Sequence, residues 1–247
     1  MNHLLPIITG TGAKRSLTGK LGMAVHGSAA IVALGVIYTT TVVYVDLYAM
    51  MVVFLSAMLA LLFLTVSAGP NGRVERPSFV DWCLVIASLV VGIYFLAENQ
   101  RIVERITLLY PLEMPDLVAA SMLLVLTIEA TRRTVGFGLT SVVLAFVFYN
   151  LWGHSLPGTL GFREVSYNHF LDIMMFTSDG LFGVPLRVAA TYAFLFVMFG
   201  TFLSKAGGAE FFYNLASAVA GRRTGGPAKI AVISSALYGT MSGSPAD

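Results

Sequence analysis

The chain has 247 residues, of which 57% are hydrophobic and only 11% charged, with a formal net charge of +2. Soluble domains carry about 25% charged residues, so this composition cannot cover a water-facing surface, and a mean hydropathy of +0.81 places the chain among integral membrane proteins. The sequence offers no basic block long enough for nucleic acid, and its one cysteine, Cys83, excludes an intrachain disulfide.

A spanning helix needs ~20 apolar residues. Lys14, Arg15 and Lys20 precede an apolar run that no small-residue cleavage pattern follows. That run reads as a retained first span at 21–43, not as a cleaved signal. Further spans are expected at 48–67, 79–97, 116–131, 136–153 and 186–204. Tyr44 to Leu47 joins the first two almost directly, and "AGPNGRVERPS" is a Gly/Pro loop. "AENQRIVERITLLYPLEMP" has mixed charge and suits an amphipathic interfacial helix. "GHSLPGTLGFREVSYNHF" opens the other long connection. Residues 208–221, "GAEFFYNLASAVAG", are shorter and more polar, as an interfacial arm would be. A last apolar segment begins near Pro227 and runs into "YGTMSGSPAD", residues 238–247. The fold class is all-α integral membrane, with about six spanning helices and one interfacial arm.

Lys and Arg favour cytoplasmic loops. With the N-terminus inside, Lys14, Arg15, Lys20, Arg73, Arg76, Arg132, Arg133, Lys205, Arg222, Arg223 and Lys229 fall inside. Only Arg101, Arg105, Arg163 and Arg187 fall outside. The pair Arg132 and Arg133 also marks the best boundary between a four-helix part, 1–134, and the remainder, 135–247.

Lipid offers backbone groups no partner, so an irregular backbone at membrane depth must face protein or a water-filled cavity. "GTMSGSP", Gly239 to Pro245, is poor helix sequence. Broken helices of this kind build ion and substrate sites in transporters. Ser234, Ser235, Thr240, Ser242 and Ser244 add hydroxyl oxygens, which suit a hard cation such as Na⁺. The competing reading is packing. Gly239 and Gly243 form a small-xxx-small face, and Ser or Thr can bond back to its own helix.

Other polar residues divide in the same way. His26 in the first span is either a proton relay or a histidine packed between helices. Asp81 and Glu129 lie near predicted helix ends and read as anchors, although intramembrane acids are often functional. Asp172 and Asp179 read as capping or solvated residues. Trp82, Trp152, Tyr44 and Tyr110 read as interfacial anchors. No metalloprotease, paired Cys/His or phosphate-loop signature is present, so no enzyme activity and no ATP hydrolysis is expected.

"GVPLRVAATYAFLFVMFGTFLSKAG" followed by "FFYNLASAVAGRRTGGPAKIAVISSALYGTMSGSPAD" resembles the large membrane subunit of TRAP (tripartite ATP-independent periplasmic) transporters. "RRTVGFGLTSVVLAFVFYNLWGHSLPG" is similar to forms in which a small four-helix subunit is fused ahead of the large one, as in permeases that serve TAXI-type binding proteins. The resemblance is specific over about 175–247 and mainly topological over 1–134. It implies a multi-pass permease of the bacterial inner membrane that imports a small organic anion, often a carboxylate. The partner implied is an extracytoplasmic solute-binding protein, and the coupling ion is Na⁺ or, in some members, H⁺, with no other cofactor. It also implies that Ser242 to Ser244 form the tip of a first re-entrant helical hairpin. Gly239, Thr240, Ser242, Gly243, Ser244 and Pro245 then line the ion and substrate sites, with Ser242 and Ser244 as Na⁺ ligands. Large subunits of the family continue well beyond this point, so the sequence is expected to be the N-terminal part of a longer protein. A non-transporting membrane scaffold, packed through small residues, is the alternative.

Overall fold

The computed structural model describes residues 10–43, 45–69, 76–107, 109–221 and 225–242. They form helices, turns and a single isolated antiparallel bridge between Lys14 and Val66. We label the helices α1 (Gly19–Thr41), α2 (Leu47–Thr65), α3 (Phe79–Ala97), α4 (Asn99–Glu104), α5 (Met114–Thr134) and α6 (Phe137–Trp152). Then come α7 (Tyr167–Phe176), α8 (Val184–Lys205), α9 (Gly208–Ala220) and α10 (Gly226–Ser242). Six helices are long and apolar enough to cross a membrane: α1, α2, α3, α5, α6 with its short 3-10 extension to Ser155, and α8. The six expected spans are all present. The protein is a multi-pass membrane protein.

Helix starts are set by acidic and hydroxyl caps. The Asp46 carboxylate accepts the Ala49 N–H at 3.1 Å, and Ser166 Oγ accepts the His169 N–H at 3.3 Å. At α3 and α5 an aspartate in the first turn reaches back instead. Asp81 accepts the Ser78 N–H at 2.8 Å, and Asp116 accepts the Glu113 N–H at 3.0 Å. Each cap satisfies an amide that the helix itself leaves open.

The contacts divide the chain into two compact units, residues 1–187 and 188–247. In the first unit α2 is the central helix. Some 44% of its spanning window is buried, against 17% for α1 and 11% for α6. α2 packs closely on α3 because small residues face each other. A Cβ added at Gly92 would stand 2.2 Å from Ser56 Oγ. Without a hydrophobic drive between helices in lipid, such close backbone approach supplies the van der Waals attraction. Phe63, Phe95, Val91, Leu123, Leu171 and Met175 fill the core. Large apolar side chains such as Met23, Phe79 and Phe146 point outward, as lipid-facing residues do.

In the second unit α9 and α10 form a hairpin packed through Ala216, Ala220 and Ile230, with Ile233 against them. Gly207, at φ +89°, turns the chain into α9, and Gly225, at φ +75°, turns it into α10. Both are left-handed conformations that favour glycine. The expected interfacial arm at 208–221 is thus α9. Within α8, residues Ala189–Ala193 form a π-helical turn that the apolar pattern did not signal.

Two connections differ from expectation. Only Asn99–Glu104 is helical in the stretch after α3. The connection before α8 contains the ten-residue α7, with Phe170, Leu171, Met175 and Phe176 buried. His26 is exposed on α1, not packed between helices. Trp82, Trp152 and Tyr110 are exposed near helix ends, as anchors would be, and Tyr44 lies outside the described residues.

Candidate functional site

The residues singled out in sequence lie at the end of α10. The helix runs unbroken through Gly239, Thr240, Met241 and Ser242. The irregularity expected from Gly239 onward therefore does not begin there. Gly243, Ser244 and Pro245 lie outside the described residues, as do the side chains of Thr240 and Ser242.

What precedes them is informative. Ser234 Oγ donates to the Ala231 carbonyl at 3.2 Å, the local back-bond that the packing reading anticipated. Gly239 behaves otherwise. No described heavy atom lies within 4 Å of where its Cβ would stand. Among the described residues, then, Gly239 is not a close packing contact, and its helix face is open. Immediately before it, Tyr238 Oη donates to the Gly200 carbonyl at 3.4 Å, and its ring meets Phe212 edge-on at 6.4 Å. These contacts hold the approach to Gly239 against α8 and α9.

The first unit holds buried charge that sequence reasoning undervalued. At one pole, Asp81 is 1% exposed and lies between two arginines. Arg133 Nη1 is 2.7 Å from Asp81 Oδ1, and Arg15 contacts Asp81 Oδ2. Arg15 also donates to the carbonyls of Phe63 at 2.8 Å and Leu64 at 3.0 Å, at the C-terminal end of α2. Arg133 donates to Val66 O at 3.2 Å and lies over the Phe63 ring at 5.0 Å. Glu129 extends the network, 2.7 Å from Arg133 and 2.7 Å from Arg132. Cations at a helix C-terminus complement its dipole. Here the two arginines also neutralise a carboxylate that lipid alone could not solvate.

The opposite pole repeats the arrangement with Asp116. It accepts from Tyr94 Oη at 2.6 Å and from Arg101 Nη2 at 2.6 Å and Nη1 at 3.1 Å. Arg101 also meets Glu98 at 2.6 Å. The hydrogen bonds it donates to Asp116 and then to Glu98 hold the Arg101 guanidinium above its usual range. Nearby, Arg105 pairs with Asp172, lies over the Phe176 ring at 5.3 Å and donates to Tyr110 O at 2.7 Å. Asp172 is therefore a buried ion-pair partner and not a solvated residue, whereas Asp179 is exposed. A signal for both poles was present in sequence. "SFVD" and "EMPD" share a cap residue followed three positions later by aspartate. The structure brings Arg15, Arg132 and Arg133 to one pole and Arg101 and Arg105 to the other, the same partition that the loop charges require. Among the described residues no cluster of acids, histidines or cysteines is arranged to hold a metal ion.

The sequence model of the tripartite ATP-independent periplasmic transporter family, DctM component, matches residues 121–246. The chain belongs to this family. The match begins inside α5 and takes in α6, α7, α8, α9 and α10, including the run from Gly239 to Pro245. Neither a curated protein nor a solved structure matches the chain. The membership makes the protein a TRAP transporter membrane permease, a transport protein by family and not a member of an enzyme family. The contact division at 187 falls within the part of the permease that the family match covers.

Proposed function

We propose that this permease imports a small organic anion, a carboxylate by class of chemistry, driven by Na⁺ and delivered by an extracytoplasmic solute-binding protein. It sits in the bacterial inner membrane with its N-terminus in the cytoplasm. Residues 1–134 act as a small-subunit-like four-helix part, and 135–247 begin the large-subunit-like transport part. The observation that carries this reading is the family match through α10, a helix in an apolar segment whose sequence leads into a run rich in Gly and Ser. The open face at Gly239 supports it, since a packing seam would have filled that space. Gly239, Thr240, Gly243 and Pro245 shape the backbone around ion and substrate, and Ser242 and Ser244 supply hydroxyl oxygens to Na⁺.

The test is Na⁺-driven uptake by the full-length permease, reconstituted with its binding protein and normalised to folded protein. Ser242→Ala and Ser244→Ala should each raise the Na⁺ concentration for half-maximal uptake by about tenfold, the effect of losing roughly 1.4 kcal/mol of ion binding. Gly243→Val should abolish uptake while protein still folds. If both serine variants keep the wild-type Na⁺ dependence and the valine variant fails only through lost protein, the run is a packing feature and the reading is wrong.

A further inference from the structure

The face of the first unit between α6 and α7 carries two adjoining cavities of opposite character. One, of about 560 Å³, is walled by apolar residues that include Val142, Val143, Phe146, Ile173 and Met174. The other, of about 620 Å³, is lined by Arg163, Glu164, Val165, Ser166 and His169. Val165 and His169 line both, so the two form one amphipathic groove.

Its dimensions follow from the helices. Past the end of α6 the chain folds back along it. Phe162 meets the Tyr149 ring at 5.3 Å, and Tyr167 Oη lies 2.8 Å from Ser121 Oγ, on the second turn of α5. Arg163 and Glu164 follow Phe162 and so lie near the level of the last turn of α6. The apolar part runs down α6 to Val142. From Trp152 to Val142 is about 15 Å at 1.5 Å per residue. One leaflet of a hydrocarbon core of about 30 Å has the same depth. The groove thus has a charged mouth at headgroup level and an apolar slot one leaflet deep.

The mouth offers both signs of charge. Arg163 and Glu164 are exposed, and among the described residues neither has an ion-pair partner. Phe146, on the wall, is 68% exposed. We propose that this groove binds one phospholipid whose headgroup carries both a phosphate and an amine. The phosphate sits on Arg163, the ammonium on Glu164, and an acyl chain lies along Phe146, Val143 and Val142. His169, at the junction, supplies a ring nitrogen at the level of the ester oxygens.

The full chain is purified and exchanged into micelles holding equal amounts of phosphatidylethanolamine and phosphatidylglycerol. Lipid retained through size exclusion is counted by native mass spectrometry. The wild type should retain phosphatidylethanolamine in preference. Arg163→Gln should lower retention of both lipids by about fivefold, the effect of one basic residue at a headgroup. Glu164→Gln should reduce the preference for the amine by about threefold, as expected of one exposed charge pair. Both residues are exposed, so these variants fold, and elution position checks it. Val143→Trp should fill the slot and remove the retained lipid. Equal retention in wild type and Arg163→Gln, or an unchanged headgroup preference in Glu164→Gln, overturns the proposal. So does displacement of the lipid by soluble glycerophosphoethanolamine, which would assign the mouth to a free phosphoester.

Discussion

The two poles of the first unit use the same device and enclose it to different degrees. At one, Asp81 is held by Arg15 and Arg133, and the side chains of Asp81, Arg15 and Arg133 are all at most 2% exposed. At the other, Asp116 is as buried, but the Arg101 side chain is 35% exposed. An enclosed pair depends wholly on its partners, because removing one leaves a charge that neither lipid nor water solvates. A pair with one arm in water can rehydrate that arm. The Asp81 pole therefore acts as a permanent cross-link between the segment at Arg15, the end of α2, the start of α3 and the end of α5. The Asp116 pole is an adjustable one.

The comparison predicts graded effects. Asp81→Asn keeps the size of the side chain and an oxygen for the Ser78 amide, yet removes the carboxylate that two buried arginines share, with Glu129 still beside Arg133. It should cost on the order of 3–5 kcal/mol and appear as a large drop in thermal midpoint or folded yield in detergent. Asp116→Asn should cost roughly 2 kcal/mol, the value of hydrogen bonds to one charged group. A midpoint for Asp116→Asn as low as that of Asp81→Asn would break the comparison, because exposure of Arg101 would then have conferred nothing. Glu98→Gln removes only the outer, half-exposed partner of Arg101 and should cost less than about 1 kcal/mol. Its small effect should shrink further at high salt, as an exposed pair is screened. An effect of Glu98→Gln that is large and independent of salt would show that the outer partner is enclosed after all.

Sequence made the spans legible because membrane thickness imposes a length on apolar runs. The α9 helix followed from a break in those runs. α7 was not legible. Ten residues are too few for a span, and "YNHFLDIMMF" mixes polar and apolar residues as a loop would. The ion pairs were hidden for another reason. Arg15, Asp81 and Arg133 are distant in sequence, and only tertiary packing joins them. Asp172 was misread on the same ground, since its partner Arg105 lies 67 residues away. For the Gly239–Pro245 run, glycine and serine content signalled irregular backbone, but helical hydrogen bonding persists through Ser242. Propensity is a weak prior against a continuing helix.

The contact of Asp81 with both Arg15 and Arg133 also sets an order of events during synthesis. Arg133 follows Asp81 by 52 residues. At about 5–20 residues per second, the ribosome needs roughly 3–10 s to make them. Until Arg133 is made, Asp81 is short of one partner. The Gly12 amide also waits, since its acceptor at 2.8 Å is the Arg133 carbonyl. The N-terminal segment, made first, is thus among the last pieces to be fixed, and its closure reports that α5 has been inserted.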